Sequence, residues 1–397
     1  MGSAMQNPEF ESLLPFTKEE YESRIRRFKA EMARRQLDVM LLYSNHSFFY
    51  LYGYDLAAGA AIPYQTIIAP LDGEPTAFVR NTMAQWVSRS PFLNDIRTYD
   101  TPFDADNAKK TVEILSDLGL LSGKKIGIEM RSQTLNAYDY DLIRQHVARG
   151  GGHLVDASDV VMELRIHKST AEVACMRQAG ILYDVFMSAA FSAIQPGVRE
   201  CDVNAEALHA YHRAGGEDIA QPLMMIPAIM SKSHMLPPTR RMLESGEPLF
   251  IEAGACFNRY HVVGGTTVFC GSEPGNDVRE AYARAREAVN VTRFLIKPGM
   301  ATSAIIQEVL AARDIKDHEA FHAGYSIGIG YRNLWHEDLI IRVGDNHVLE
   351  KNMTLSLFGF ATIGECFCIV ADPIVITDTG FDDLSALPRD EIFVAGA

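Results

Sequence analysis

Residues 247–271, EPLFIEAGACFNRYHVVGGTTVFCG, and residues 351–377, KNMTLSLFGFATIGECFCIVADPIVIT, decide the fold. Both are strand-rich, and their starts, Glu247 and Lys351, lie 104 residues apart. The same order of helices precedes each. Before the first, Ser169 and Glu172 stand at the S-x-x-E spacing that satisfies free N–H groups at a helix start. A long helix then runs to about Ala193 and stops at Ile194-Gln-Pro-Gly-Val198. The next helix, AEALHAYHRAGG, stops at Gly215 and Gly216. Before the second, a helix over 277–296 ends at Ile296-Lys-Pro-Gly-Met300 and is followed by SAIIQEVLAARDI. The two stops, Pro196 and Pro298, are 102 residues apart. A period this long is no solenoid repeat. It predicts one duplicated helix–helix–strand–strand half, and so a pseudo-twofold domain with a cleft between its halves.

Toward the N-terminus the pattern changes. TKEEYESRIRRFKAEMARRQ, residues 17–36, has helical spacing, and LDVMLLYS after it reads as a buried strand. QTIIAP, PTAFVR and KIGIEM read as further strands, with helical stretches around 105–118 and 133–148. Alternation of this kind predicts an α/β domain. The break at residues 150–152 and the run VDASDVVMELRIHK place the boundary near residue 165. The expected domains are 7–165 and 166–397; residues 1–6 read as an expression scar, outside the fold.

At 397 residues, two domains are the natural expectation. With 37 basic against 51 acidic residues, the net charge of -14 argues against nucleic acid or an anionic membrane as partner. No apolar run is long enough for a membrane span, and the start lacks the pattern of a signal peptide. The six cysteines form no CxxC framework; Cys366 and Cys368 read as free thiols on one face of a strand. A reducing, cytoplasmic setting is expected.

The duplication, together with His167-Lys-Ser-Thr-Ala-Glu172-Val-Ala-Cys-Met176-Arg177, resembles the linker and first helix of the pita-bread family, which includes methionine aminopeptidase, prolidase, aminopeptidase P and creatinase. The resemblance implies a creatinase-like N-terminal α/β domain followed by a pita-bread domain (fold class α/β plus α+β). The metallopeptidases of that family hold two divalent ions with two Asp, one His and two Glu, and the pair generates a hydroxide nucleophile. In this chain those positions fall on Glu252, Val263, Tyr325, Phe358 and Ala371, with Asp372 beside the last. Four are non-ligands, and one carboxylate cannot hold a dinuclear centre; no metal and no other cofactor is expected. Creatinase hydrolyses without metal but keeps a histidine where this chain has Tyr325.

A closer resemblance is to the ectoine hydrolase branch. It is carried by Gly215-Gly-Glu217, a Pro-rich stretch with His234, Gly246-Glu-Pro-Leu-Phe-Ile-Glu252-Ala-Gly254, Arg259-Tyr260-His261, and Gly324-Tyr-Ser-Ile-Gly-Ile-Gly-Tyr331. Three stretches depart from it. The branch's His-x-x-Trp is here His234-Met-Leu-Pro237, its P-P-D-W-G-E run is Arg332-Asn-Leu-Trp335-His336-Glu337, and its Arg-Thr pair is Thr266-Thr267.

Glu252 lies in an otherwise apolar strand, where an unpaired carboxylate is costly and its pKa rises, so it is the expected nucleophile or general base. The resemblance favours a covalent role at the amidine carbon of a cyclic substrate. His234, in a loop before Pro237-Pro238, is the expected general acid–base, and Tyr325 a hydrogen-bonding or proton-donating group. Even spacing along a strand would put Tyr260 on the face of Glu252, whereas a turn between the strands would bring His261 there instead. Both, with Trp335 and Glu337, are the expected substrate-binding residues, Glu337 as partner of a substrate cation and Trp335 and His336 as pocket wall. Gly324, Gly328 and Gly330 precede no helix and form no phosphate loop. Phe48, Phe49, Tyr50, Tyr52 and Tyr54 read as core at strand spacing; by resemblance to creatinase-like dimers, one of them closes the partner's cleft. The sequence thus predicts a homodimeric, cofactor-free hydrolase of C–N bonds in a small polar or zwitterionic compound. Ectoine is first, creatine-like guanidines second; a catalytically inactive ligand- or protein-binding module is the rival, and a metallopeptidase whose ligands align elsewhere is the third option.

Overall fold

The computed structural model describes residues 14–55, 64–100, 106–227, 237–313, 322–332 and 334–396. The chain divides into two compact units, Met1–Arg165 and Ile166–Ala397.

The first unit is built on a six-stranded sheet. Its strands are β1 (Val39–Leu42), β2 (Thr66–Pro70), β3 (Thr76–Arg80), β4 (Asp95–Tyr99), β5 (Lys125–Ile128) and β6 (His153–Asp156), in the order β4-β3-β2-β1-β5-β6. β1 pairs with β2 and β2 with β3 antiparallel, while β1–β5, β5–β6 and β3–β4 are parallel, as crossover helices require. Helices Asn107–Asp117 and Ala137–Arg149 cover the sheet through Val112, Leu115, Ile143 and Val147. The aromatic run after β1 is a helix, Asn45–Tyr52, and not the strand its spacing suggested. All eight of its residues are buried, so no amphipathic period shows in the sequence. Local chemistry decides instead: Gly53 stops the helix in the left-handed region, and buried Glu129 accepts the N–H groups of Tyr43 and Ser44 at 2.7 Å each.

The second unit shows the duplication directly. Helices Thr170–Ala193 and Glu200–Arg213 lead into β7 (Met224–Pro227), β8 (Pro248–Phe257) and β9 (Tyr260–Cys270). Helices Asn276–Leu295 and Thr302–Arg313 lead into β10 (His322–Tyr331), β11 (Leu334–Arg342), β12 (Thr354–Ile363) and β13 (Cys366–Ile376). The capping box is formed: Glu172 N donates to Ser169 Oγ at 3.2 Å and Ser169 N to Glu172 Oε2 at 2.8 Å. Each long helix ends on an isoleucine with ψ 115°, Ile194 and Ile296, and each Pro-Gly turn needs its glycine, at φ 84° for Gly197 and 86° for Gly299. Gly197 N donates to Leu243 O, and Gly299 N to Leu349 O, both at 2.8 Å.

The strands of this unit join in one nine-stranded sheet, β11-β10-β12-β13-β9-β8-β7. Two short strands, β14 (Phe381–Asp383) and β15 (Phe393–Ala395), pair with β13 and β9, and β10 also bridges to β9 at Ile329–Tyr260. One face is covered by helices, with Ala285, Val289, Ile305 and Val309 packed on Leu355, Leu357, Val370 and Ile374. Gly359 permits this closeness, because a Cβ there would collide with the carbonyl oxygen of Ala285. Cys366 and Cys368 point to the helix side, and all six cysteines are free. No helix among the described residues is long and apolar enough to cross a membrane.

Candidate active site

The site is organised by the β8–β9 hairpin. Its turn residues, Asn258 and Arg259, both have positive φ (49° and 65°), the signature of a two-residue hairpin turn. Glu217 holds that turn: it accepts the Asn258 and Arg259 N–H groups and pairs with the Arg259 guanidinium at 2.6 Å. The turn fixes a register in which Phe257 faces Tyr260, Cys256 faces His261, Gly254 faces Val263 and Glu252 faces Gly265. Directly opposed residues share a face. Glu252 therefore lies on the face of His261, Val263 and Gly265, and the even-spacing expectation for Tyr260 is corrected. Crossing the turn inverts the parity, so Tyr260 points to the opposite face, where its hydroxyl donates to Glu172 at 2.7 Å.

The same face continues across the sheet. Gly265 is paired with Ala371, and Ala371 with Phe358. Tyr325 of β10 pairs with Ser356 of β12 and stacks on Phe358, with ring centroids 5.4 Å apart. Its hydroxyl donates to Glu252 Oε1 at 3.4 Å. Glu252, Tyr325, Phe358 and Ala371 thus share one face, joined by the Tyr325 hydrogen bond and ring stack, with Val263 buried nearby on the strand of Gly265.

Glu252 is 6% exposed, and burial pushes its carboxyl from 4.5 to about 7, opposed only by the Tyr325 hydrogen bond. Among the described residues no cationic side chain offsets that burial. Burial beside this carboxylate raises the Tyr325 phenol well above its ordinary value, so the phenol keeps its proton and acts as donor. Trp335 and Ser356 stand close enough to Tyr325 to oppose that rise. Trp335 is 1% exposed and lies over Gly254, where a Cβ would come within 2.8 Å of the indole. The indole Nε1 and the Ser356 Oγ are buried; both lie near enough to the Tyr325 hydroxyl to interact with it, but neither has a partner in full hydrogen-bond geometry among the described residues. His336 meets the Tyr325 ring edge-on at 4.0 Å, and burial lowers its pKa to about 4. His322 touches both Tyr325 and Phe358.

Other expected site residues are placed differently. His261 shares the face of Glu252 but is fully buried, its Nδ1 against Arg259 O and its Nε2 accepting from Ala220 N, each at 3.0 Å. Burial lowers its pKa to about 3, so the ring is a neutral strut of the hairpin. Glu337 is buried in an ion pair with Lys168, whose side chain is equally inaccessible; its charge is answered within the protein, unlike its expected role toward a substrate cation. His234 lies outside the described residues. Asp372 points to the helix side and binds both Arg286 and Arg293. Sequence reasoning missed Lys168 and Ser356. Counting by two from Phe358 would have reached Ser356; nothing in the sequence marks Lys168 as the partner of a residue on β11.

A metal fits this donor set poorly. Val263, Phe358 and Ala371 offer no ligand atom, and among the described residues no group of three or more His, Cys, Asp or Glu is arranged to hold an ion.

Comparison with known proteins agrees with this architecture. Ectoine hydrolase of Halomonas elongata is 28% identical over 407 aligned positions, covering 96% of this chain and 98% of the relative. Two solved structures share the fold: a prolidase from Thermococcus sibiricus (TM-score 0.82, 17% identity, 94% of this chain and 99% of that one) and dipeptidase PepE from Mycobacterium ulcerans (TM-score 0.79, 19% identity, 96% and 100%). The Creatinase/Prolidase N-terminal domain model matches residues 24–167 and the Metallopeptidase family M24 model residues 174–378. The chain therefore belongs to the M24 hydrolase family, in its two-domain creatinase–prolidase form.

Proposed function

We propose that this protein is a metal-independent hydrolase of C–N bonds in a small polar or zwitterionic compound, with ring opening of an ectoine-type cyclic amidine as its leading reaction. The observation that carries the reading is Glu252, a buried carboxyl at about 7 with a phenol donor and, among the described residues, no cation opposite it; by the family resemblance, the other ligand positions of the M24 fold fall on Val263, Tyr325, Phe358 and Ala371. Similarity to ectoine hydrolase along nearly the whole chain supports it.

A carboxyl poised near neutral pH accepts and returns protons readily. As a base, Glu252 takes a proton from water while the water oxygen bonds to the amidine carbon. As a nucleophile, its own oxygen forms that bond, and water later releases the acyl group. In both cases the C–N bond breaks with its electron pair on nitrogen, which takes up a proton. Tyr325 orients the carboxylate and keeps its own proton throughout. His234 remains the proposed acid–base partner. Creatine-like guanidines are the second substrate class. The proposal extends to a cytoplasmic homodimer with the cleft closed by the partner's N-terminal domain, which a solution mass measurement tests.

Protein stripped of metal with a chelator and incubated with ectoine is expected to give the ring-opened product. Glu252→Gln is expected to lower turnover by roughly 10²–10⁴-fold. Unchanged turnover in that variant removes the mechanism, whereas ligand binding without turnover favours an inactive binding module.

A further inference from the structure

The face that carries Glu252 is largely apolar beyond it. Register places Phe360 opposite Ile369, and Phe367 opposite Thr362, on the same face as the Phe358–Ala371 and Glu252–Gly265 pairs. Phe358, Phe360 and Phe367 are only partly buried, and they pack against the buried Ile226, Phe250 and Ile369. Phe360 and Phe367 form a ring pair with centroids 6.0 Å apart. Between Glu252 and Phe358 the intervening strands present Gly265 and Ala371, which contribute at most a methyl group. The face of the sheet that carries the carboxylate thus also carries a row of phenylalanine rings.

Two further features at the Tyr325 end point to a bound molecule. Glu252 is buried with no cation opposite it among the described residues, a costly arrangement unless a ligand brings the charge. The Trp335 indole N–H and the Ser356 hydroxyl are buried beside the same phenol, close enough to interact with its oxygen but with no partner in full hydrogen-bond geometry.

We infer that the site takes an amphiphilic cation, with a positively charged N–H head held by Glu252 and Tyr325 and an aryl or branched alkyl body lying along Phe358, Phe360 and Phe367. This rests on the reading above that Glu252 is the centre of the ligand site, and it adds, beside the polar and zwitterionic substrates proposed there, a ligand class with an apolar body. The head donates its N–H to the carboxylate, and an acceptor atom on it meets Trp335 and Ser356. The rings supply both apolar contact and the negative faces that favour a nearby cation.

Calorimetric binding of three probes to the full chain tests this. Benzamidine has head and body, acetamidine the head alone, and benzamide the body without the charge. Benzamidine is expected to bind at least about tenfold more tightly than either of the others. Phe360→Ala is expected to remove most of the advantage over acetamidine while leaving acetamidine itself unchanged. Phe367→Ala is the second variant, and circular dichroism establishes that each is folded. Equal affinity for benzamidine and acetamidine, equal affinity for benzamidine and benzamide, or no binding of any probe overturns the inference. So does a preference untouched in both variants. Failure of the hydrolase reading looks different: no turnover of any C–N substrate, with the probe preference intact.

Discussion

The two halves of the second unit repeat one backbone and diverge in chemistry. β8 and β12 begin at Pro248 and Thr354, 106 residues apart, an offset that sets Glu252 against Phe358 and Gly265 against Ala371. The cross-strand pairs are Glu252–Gly265 in one half and Phe358–Ala371 in the other, on the same face of the sheet. The helix ends, the Pro-Gly turns and the bonds tying them to the following loops match in geometry. At the equivalent point, however, one half presents a carboxylate and the other a phenyl ring. Backbone sterics constrain a turn far more tightly than a cleft constrains its lining. The duplicated frame is therefore shared by two halves whose lining differs at equivalent positions, a carboxylate in one and a ring in the other.

The largest expected effect comes from breaking the link between the halves. Lys168, just before the first long helix, is buried against Glu337 on β11. Lys168→Ala leaves an uncompensated buried carboxylate and should cost about 3–5 kcal/mol in a denaturant titration. Replacing both residues by apolar ones, Lys168→Met with Glu337→Leu, should recover most of it. A single variant as stable as the parent would show that the pair does not join the halves.

Next comes the pH dependence of the half that kept its charge. The folded state raises the Glu252 carboxyl from 4.5 to about 7, so folding favours its protonated form. Below about 4.5 the group is protonated in both folded and unfolded chains and costs nothing. As pH rises through 7 the folded protein must carry a buried charge, at a penalty on the order of 3 kcal/mol. Glu252→Gln should therefore be more stable than the parent at pH 8 and equal to it at pH 4. Differences in melting temperature at the two pH values measure this. Phe358→Leu, at the equivalent position, should show no such dependence.

The smallest effect tests the repeated frame itself. Gly197→Ala and Gly299→Ala each place a Cβ in the left-handed region, at φ 84° and 86°, with open space around it. Each should lose about 1–2 kcal/mol, and by similar amounts. A large loss in one half alone would mean that the matching turns carry different loads.

Much of the architecture was legible because it is written in periodicity and punctuation: the helix–helix–strand–strand order, the Pro-Gly stops and the capping box all appear where the sequence put them. What escaped depends on long-range pairing. Tyr260 was placed by counting along one strand, but the two-residue turn at Asn258-Arg259 inverts the parity on the return strand. The buried helix Asn45–Tyr52 has no polar face to reveal its period. Glu337 looked like a free cation partner because Lys168, 169 residues away, gives no local sign of meeting it.

The central claim is that Glu252 is a buried carboxyl with no compensating cation among the described residues. A ¹³C NMR titration of glutamate carboxyls, with Glu252→Gln identifying the resonance, measures it directly. One carboxyl titrating near 7, and missing from the variant, is the predicted result. A Glu252 resonance titrating near 4.5 would contradict the account, because it would mean that the carboxylate is solvated or already paired with a cation.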